Sequence, residues 1–161
     1  MTEIVYLTPK FAVSSQITAR DVTNVAALGF RAIVAVRPDG ENSTDPKADA
    51  VAAWAAASGL AFRYAPASSH ELTEPGTVSR FEAAVRGLQG PVLAYCKSGT
   101  RAAIVWALAA ARYHPASCVG EALRQAGVDP DLIEDELKLQ RRKKSRRPAS
   151  LAVQCEEAVF A

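Results

Sequence analysis

Cysteine is scarce in this sequence, with three residues among 161, and histidine is scarcer still, with two. Cys96, Cys118 and Cys155 have no Cys-x-x-Cys or Cys/His spacing of the kind that holds zinc, so no metal and no organic cofactor is expected. An odd count reads as reduced thiols, with Cys118 a small core residue on a helix and no spacing that ties Cys155 to Cys96. Long apolar runs are missing too. The longest, residues 102–111, is about half the length of a membrane span. Met1-Thr2-Glu3-Ile4-Val5-Tyr6 lacks a basic stretch followed by an apolar one, so no signal peptide is expected. The expectation is a cytoplasmic chain with no membrane partner. A large charge of one sign is also absent. The formal net charge of +2 is too small to imply a nucleic-acid partner.

What is present is ordinary globular composition, 49% hydrophobic and 22% charged, in a length that fits one domain with its own core. Basic residues are unevenly spread. Six of the 19 fall in residues 141–147, which leaves the rest mildly acidic. A domain over residues 1–140 is therefore expected, followed by a basic, flexible tail over 141–161.

Residues 4–17 alternate well enough for one or two short strands broken at Thr8-Pro9. Thr18 can cap a helix that ends at Gly29, with Asp21 at the reciprocal position of a capping box. Residues 30–36 are β-branched and apolar enough for a buried strand, and a polar loop of turn formers follows over 37–46. A helix over 47–58, a strand over 60–65, a loop over 66–75 and a helix over 75–88 come next. After a strand over 91–95 the pattern is helical to the end. Strands alternating with helices predict an α/β fold, a mainly parallel sheet flanked by helices on both faces.

The stretch on which the chain converges is Pro91-Val92-Leu93-Ala94-Tyr95-Cys96-Lys97-Ser98-Gly99-Thr100-Arg101. A thiol between the end of a strand and the start of a helix sits where unpaired amides and the helix dipole favour anions. Gly99 lets the loop bend into a nest of N–H groups, and the same field favours a thiolate on Cys96. Cys96 and Arg101 are the catalytic candidates, with Lys97, Ser98, Gly99 and Thr100 forming the anion-binding loop of P-loop type. The loops at 37–46 and 66–75 lie at strand C-terminal ends, the ligand side of open α/β sheets. They supply Arg37, Asp39, His70 and Glu71 as auxiliary candidates, with solvated turn residues as the plainer alternative.

With those residues in place, the sequence resembles the phosphatase-like domain of beta-lactamase-hydrolase-like proteins. The matching segments are Leu7-Thr8-Pro9 with Val13-Ser14, Gly29-Phe30-Arg31, Arg37-Pro38-Asp39-Gly40, the Cys96–Arg101 loop and Ala126-Gly127-Val128-Asp129. The resemblance covers residues 4–138 and implies a protein-tyrosine or dual-specificity-phosphatase-like fold. It also implies a possible protein partner in sulfide metabolism.

Two chemistries follow. Phosphatases of that fold place five residues between Cys and Arg, whereas four intervene here, the spacing of rhodanese-like sulfurtransferases. One residue fewer removes up to roughly 3.5 Å of contour and one amide donor. The 66–75 loop also holds no Asp to act as general acid for an alkoxide, and thiolates leave without one. Both points favour a sulfurtransferase that moves sulfane sulfur from thiosulfate or a persulfide through a Cys96 persulfide to a thiol acceptor. The alternative is a cysteine-dependent phosphatase, a hydrolase that passes through a phosphocysteine. On either reading the substrate is a small anion, of sulfur or of phosphate. A third reading is a non-catalytic anion-binding or redox-sensing domain that docks a partner.

Overall fold

The structure, a computed structural model, describes residues 1–141 and 146–155. Its centre is a five-stranded sheet in the order β1-β2-β5-β3-β4. The strands are β1 (Ile4–Thr8), β2 (Phe11–Ser14), β3 (Ala32–Ala35), β4 (Ala61–Tyr64) and β5 (Val92–Tyr95). β1 and β2 form an antiparallel hairpin, and every other pairing is parallel. The helices are α1 (Ala19–Ala27), α2 (Ala48–Ala57), α3 (Pro75–Val85), α4 (Thr100–Ala111), α5 (Ala116–Gln125) and α6 (Glu134–Gln140). The α/β reading and the covered parallel sheet are what the structure contains.

Side-chain alternation along the strands divides the core in two. Phe11, Val13, Ala32, Val34, Val92 and Ala94 face the side covered by α3, α4, α5 and α6. Ala12, Ile33, Ala35, Leu93 and Tyr95 face the other side, where α1 brings Val22 and Val25 and α2 brings Val51 and Ala55. Burial on both faces explains why β3 and β5 read as continuous apolar runs rather than as alternation. α4 is buried nearly all round, from Arg101 to Ala111, as a helix enclosed by a sheet and by α3, α5 and α6 must be. Phe11 stacks on its Trp106 with ring centroids 5.7 Å apart.

The capping box at α1 forms as its spacing predicts. The Thr18 N–H donates to Asp21 Oδ2 at 2.9 Å, and the Asp21 N–H donates to the Thr18 hydroxyl at 3.3 Å.

Packing does not stop at residue 140. Ser150 and Leu151 are buried, and the Trp106 indole donates to the Ser150 carbonyl at 3.1 Å. The physical reason is that the far end of α4 needs an apolar cover and a partner for its indole N–H. Residues 142–145 of the basic run and residues 156–161 of the expected tail lie outside the described residues. The thiol reading also changes: Cys118 is joined to Cys155 by a disulfide, and Cys96 is the free cysteine. Residues far apart in sequence pair here because residues 146–155, a strap over the far end of α4, bring Cys155 back against Cys118 on α5. No helix among the described residues is long and apolar enough to cross a membrane.

Candidate functional site

β5 is the central strand, inserted between β2 and β3 although it follows both in sequence. The helices that follow β2 and β3, α1 and α2, pack on one face of the sheet and α4, which follows β5, on the other, so a crevice opens at the C-terminal end of β5. Cys96 sits there, fully buried, with its N–H donating to the Ser14 carbonyl at 3.3 Å. The loop turns at Gly99, whose φ of +94° favours glycine. A Cβ on Gly99 would also stand 3.3 Å from the Ser14 carbonyl carbon and oxygen. The turn aims the Gly99 N–H at Cys96 Sγ, 3.0 Å away, and starts α4 one residue later. Thr100 N–H reaches the Ser98 hydroxyl at 3.4 Å, and Lys97, Ser98 and Thr100 are exposed.

Arg101, in the first turn of α4, is buried and tightly held. Its Nη1 and Nη2 donate to Glu41 Oε1 and Oε2 at 2.6 and 2.8 Å, and Nη1 also donates to the Ala67 carbonyl at 2.9 Å. Glu41 is the residue that sequence reasoning passed over. Its signal was slight: an acidic residue next to Arg37-Pro38-Asp39-Gly40, in a loop expected to wall the cysteine. The hydrogen bond from Arg101 holds the Glu41 carboxyl below the usual range, helped by Arg37. Glu41 in turn raises the Arg101 pKa, and Cys96 adds to that through both hydrogen bonding and charge. Thiol and guanidinium are therefore direct neighbours.

Of the auxiliary candidates, Arg37 is buried behind Glu41. Its Nε donates to Glu41 at 3.3 Å, and its Nη1 donates to Gln16 at 3.1 Å and to Asp45. The space among Gln16, Arg37, Asp39, Glu41 and Tyr95 is only about 10 Å³, so this charged cluster is filled by its own side chains. Asp39 caps α2 rather than facing the thiol. It accepts from the Ala48 N–H at 2.8 Å, while its own N–H donates to the Tyr64 hydroxyl at 3.0 Å. His70 and Glu71 lie on the loop after Ala67, bridged by Ser68, whose hydroxyl is 3.4 Å from His70 Nε2 and 2.6 Å from Glu71 Oε2. That second hydrogen bond holds Glu71 below the usual carboxylate range. Among the described residues, no group of three or more His, Cys, Asp or Glu side chains is placed to hold a metal ion.

The model of the phosphatase-like domain of beta-lactamase hydrolase-like proteins matches residues 3–113. The chain belongs to this family. A beta-lactamase hydrolase-like protein of Xylella fastidiosa is 38% identical over 106 residues, which is 66% of this chain and 24% of that protein. The chain thus spans about a quarter of the length of the curated relatives it matches. A candidate phosphatase of Neisseria meningitidis has a solved structure that is 28% identical, with a TM-score of 0.73 over 86% of this chain and 98% of that one. A candidate phosphatase of Shewanella putrefaciens, 15% identical with a TM-score of 0.63, covers 85% of this chain and 91% of its own and shares the fold.

These findings overturn the expectation of a sulfurtransferase. The family is phosphatase-like, and its solved relative is described as a candidate phosphatase, so neither sulfane-sulfur transfer nor a thiol acceptor stands. The error lay in letting the residue count between Cys96 and Arg101 decide. That count fixes loop contour, but Arg101 is aimed by Glu41 and by the Ala67 carbonyl, on two other loops. A cradle walled by three loops is not sized by one of them.

Proposed function

We propose that the chain is a cysteine-dependent phosphatase acting on phosphate monoesters. The observation that carries this reading is the junction itself: a buried thiol in contact with a guanidinium whose orientation is already set by a carboxylate. With Glu41 and Ala67 engaging Nη1 and one side of Nη2, the Nε edge of Arg101 remains for two parallel bonds to phosphoryl oxygens. The amides of the loop supply further donors at the N-terminus of α4.

In the first step the Cys96 thiolate attacks phosphorus in line, an S–P bond forms and the ester P–O bond breaks. The leaving alkoxide needs a proton. Asp39, Glu41 and Glu71 each accept hydrogen bonds as carboxylates, and we assign the proton donor to His70, three residues beyond the Arg101-bound Ala67. An imidazole can both give and take a proton, which suits that exchange. In the second step water attacks phosphorus, the S–P bond breaks, and inorganic phosphate leaves the thiolate restored.

The test is steady-state hydrolysis of an aryl phosphate. Turnover is expected, competitively inhibited by vanadate and abolished in Cys96→Ser. Hydrolysis that survives Cys96→Ser, or none in the wild-type chain, would overturn the reading.

A further inference from the structure

The Cys118–Cys155 disulfide lies in the wall of a half-open cleft of about 670 Å³ between the β1–β2 turn, α5 and the residues around Val153. Leu7, Pro9 and Ala122 give the cleft an apolar floor, and Glu121, Gln125 and Gln154 give it a polar rim. Both cysteines are partly exposed in it. Behind the sulfurs stands His114, a buried imidazole that the Cys96 chemistry does not use.

The tautomer of His114 follows from its neighbours. The Val153 N–H donates to Nε2 at 3.2 Å, and Arg147 Nη1 lies 3.2 Å from the same nitrogen. Two donors converging on Nε2 make it the acceptor, so in the neutral ring the proton is on Nδ1. Nδ1 is 3.8 Å from Cys155 Sγ. Burial and then the Arg147 charge lower the His114 pKa, against a smaller opposing effect of the Leu151 carbonyl. Burial thus favours the neutral ring, whose one N–H, on Nδ1, is shared between the Leu151 carbonyl and the side on which Cys155 Sγ lies 3.8 Å away.

We propose that Cys118, Cys155 and His114 form a second, independent centre for thiol–disulfide exchange, open through this cleft to low-molecular-weight thiols. A thiolate entering the cleft attacks Cys118 Sγ. The bond between Cys118 and Cys155 breaks, and its electron pair goes to Cys155 Sγ, which leaves as a thiolate beside the Nδ1 side of His114 and takes its proton from solvent. A second thiol resolves the mixed disulfide at Cys118. Overall, two thiols are oxidised to one disulfide, and one protein disulfide is reduced to two thiols. The reverse sequence, with a small disulfide as oxidant, closes the bridge again.

The consequence reaches the body of the protein. The bridge spans 37 residues and ties to α5 the strap that covers the far end of α4. That strap is otherwise held by Leu151, by the Trp106–Ser150 bond and by the Ser150 hydroxyl on the Val85 carbonyl at 3.3 Å.

The experiment incubates the folded, oxidised full chain with reduced glutathione, traps thiols with acid and alkylation, and maps them by mass spectrometry. A glutathione adduct on Cys118, then two free thiols, then re-formation of the bridge in glutathione disulfide are expected. His114→Phe should slow opening by roughly tenfold, as loss of the polar imidazole edge beside the leaving sulfur requires. A bridge that opens only after denaturation, one that does not re-form, or an unchanged rate in His114→Phe would overturn the proposal. Should that variant fail to fold, Cys118→Ser isolates the Cys155 thiol, whose alkylation rate is followed against pH. Its neighbour is His114, on which the charges of Arg147 and Arg141 act, and Glu121 lines the same cleft. An inflection below the ordinary value of about 8.5 supports the centre, and one at or above it overturns it.

Discussion

The two ends of α4 carry the same pair of residue types in opposite service. At the N-terminal end Arg101 meets Glu41, and at the C-terminal end Arg112 meets Glu82 at 2.7 Å. The second pair is closed in. Its side chains are 6% and 2% exposed, Arg112 also bonds Ser79, Gln140 and the Pro75 carbonyl, and Glu82 is shared with Tyr113 and Arg86. The first is open on one side, since Glu41 is 29% exposed and belongs to a loop rather than a helix. A guanidinium with every face engaged locks helices together. One held by a loop carboxylate beside a thiol is the group that the proposed phosphatase would use to take up its ligand.

The largest effects should separate the two ends most cleanly. Arg101→Lys keeps the charge but loses the planar fork, and we expect a fall in kcat/KM of about 10³-fold or more with a near-native denaturation midpoint. Glu82→Gln should do the opposite. It leaves Arg112 buried without its counter-charge and should cost about 3–5 kcal/mol in denaturant unfolding, with kcat per folded molecule retained. If both variants lost activity and stability in parallel, the two ends would not differ as described.

Glu41→Gln probes the open end more gently. The amide still reaches Arg101 but no longer aligns it as a carboxylate does, and a loss of about 10–100-fold in kcat/KM is expected, by analogy with outer-shell partners of active groups. The sign of the pH effect follows from the lowered pKa of Glu41. The pairing is complete above the ordinary carboxylate range and is lost as pH falls through the depressed value. Wild-type activity should therefore fall on the acid side as Arg101 is released, and that component should vanish from the pH profile of Glu41→Gln.

How much of this was legible in the sequence depends on how far apart the partners lie. The cysteine loop was legible because its chemistry is local: Cys96, Gly99 and Arg101 fall within one turn of chain. The covered sheet was legible because β3 and β5 are apolar on both faces. Glu41 was not, because nothing local marks a carboxylate whose partner is 60 residues away. The same holds for Glu82 and Arg112, 30 residues apart, and for Cys118 and Cys155. Such pairs are made by packing, and periodicity carries no record of them. The spacing from Cys96 to Arg101 misled for a related reason, since it describes one wall of a site that has three.

The smallest effect tests the local extreme of the same comparison, at the capping box of α1. Burial alone would raise the Asp21 pKa, but hydrogen bonds from Thr2 and Thr18 outweigh it and bring it down from 3.8 to about 2. A folded pKa below the unfolded one means stability present above the ordinary value and lost as pH falls through about 2. Thr18→Ala removes the cap hydroxyl and should cost about 1 kcal/mol at neutral pH in denaturant unfolding. The difference from wild type should narrow in acid, where protonation of Asp21 weakens the same bonds in both chains. Because Thr18 and Asp21 touch neither end of α4, kcat/KM should not move. A change in activity would mean that α1 communicates with the cysteine loop through β2, whose Ser14 carbonyl accepts the Cys96 N–H.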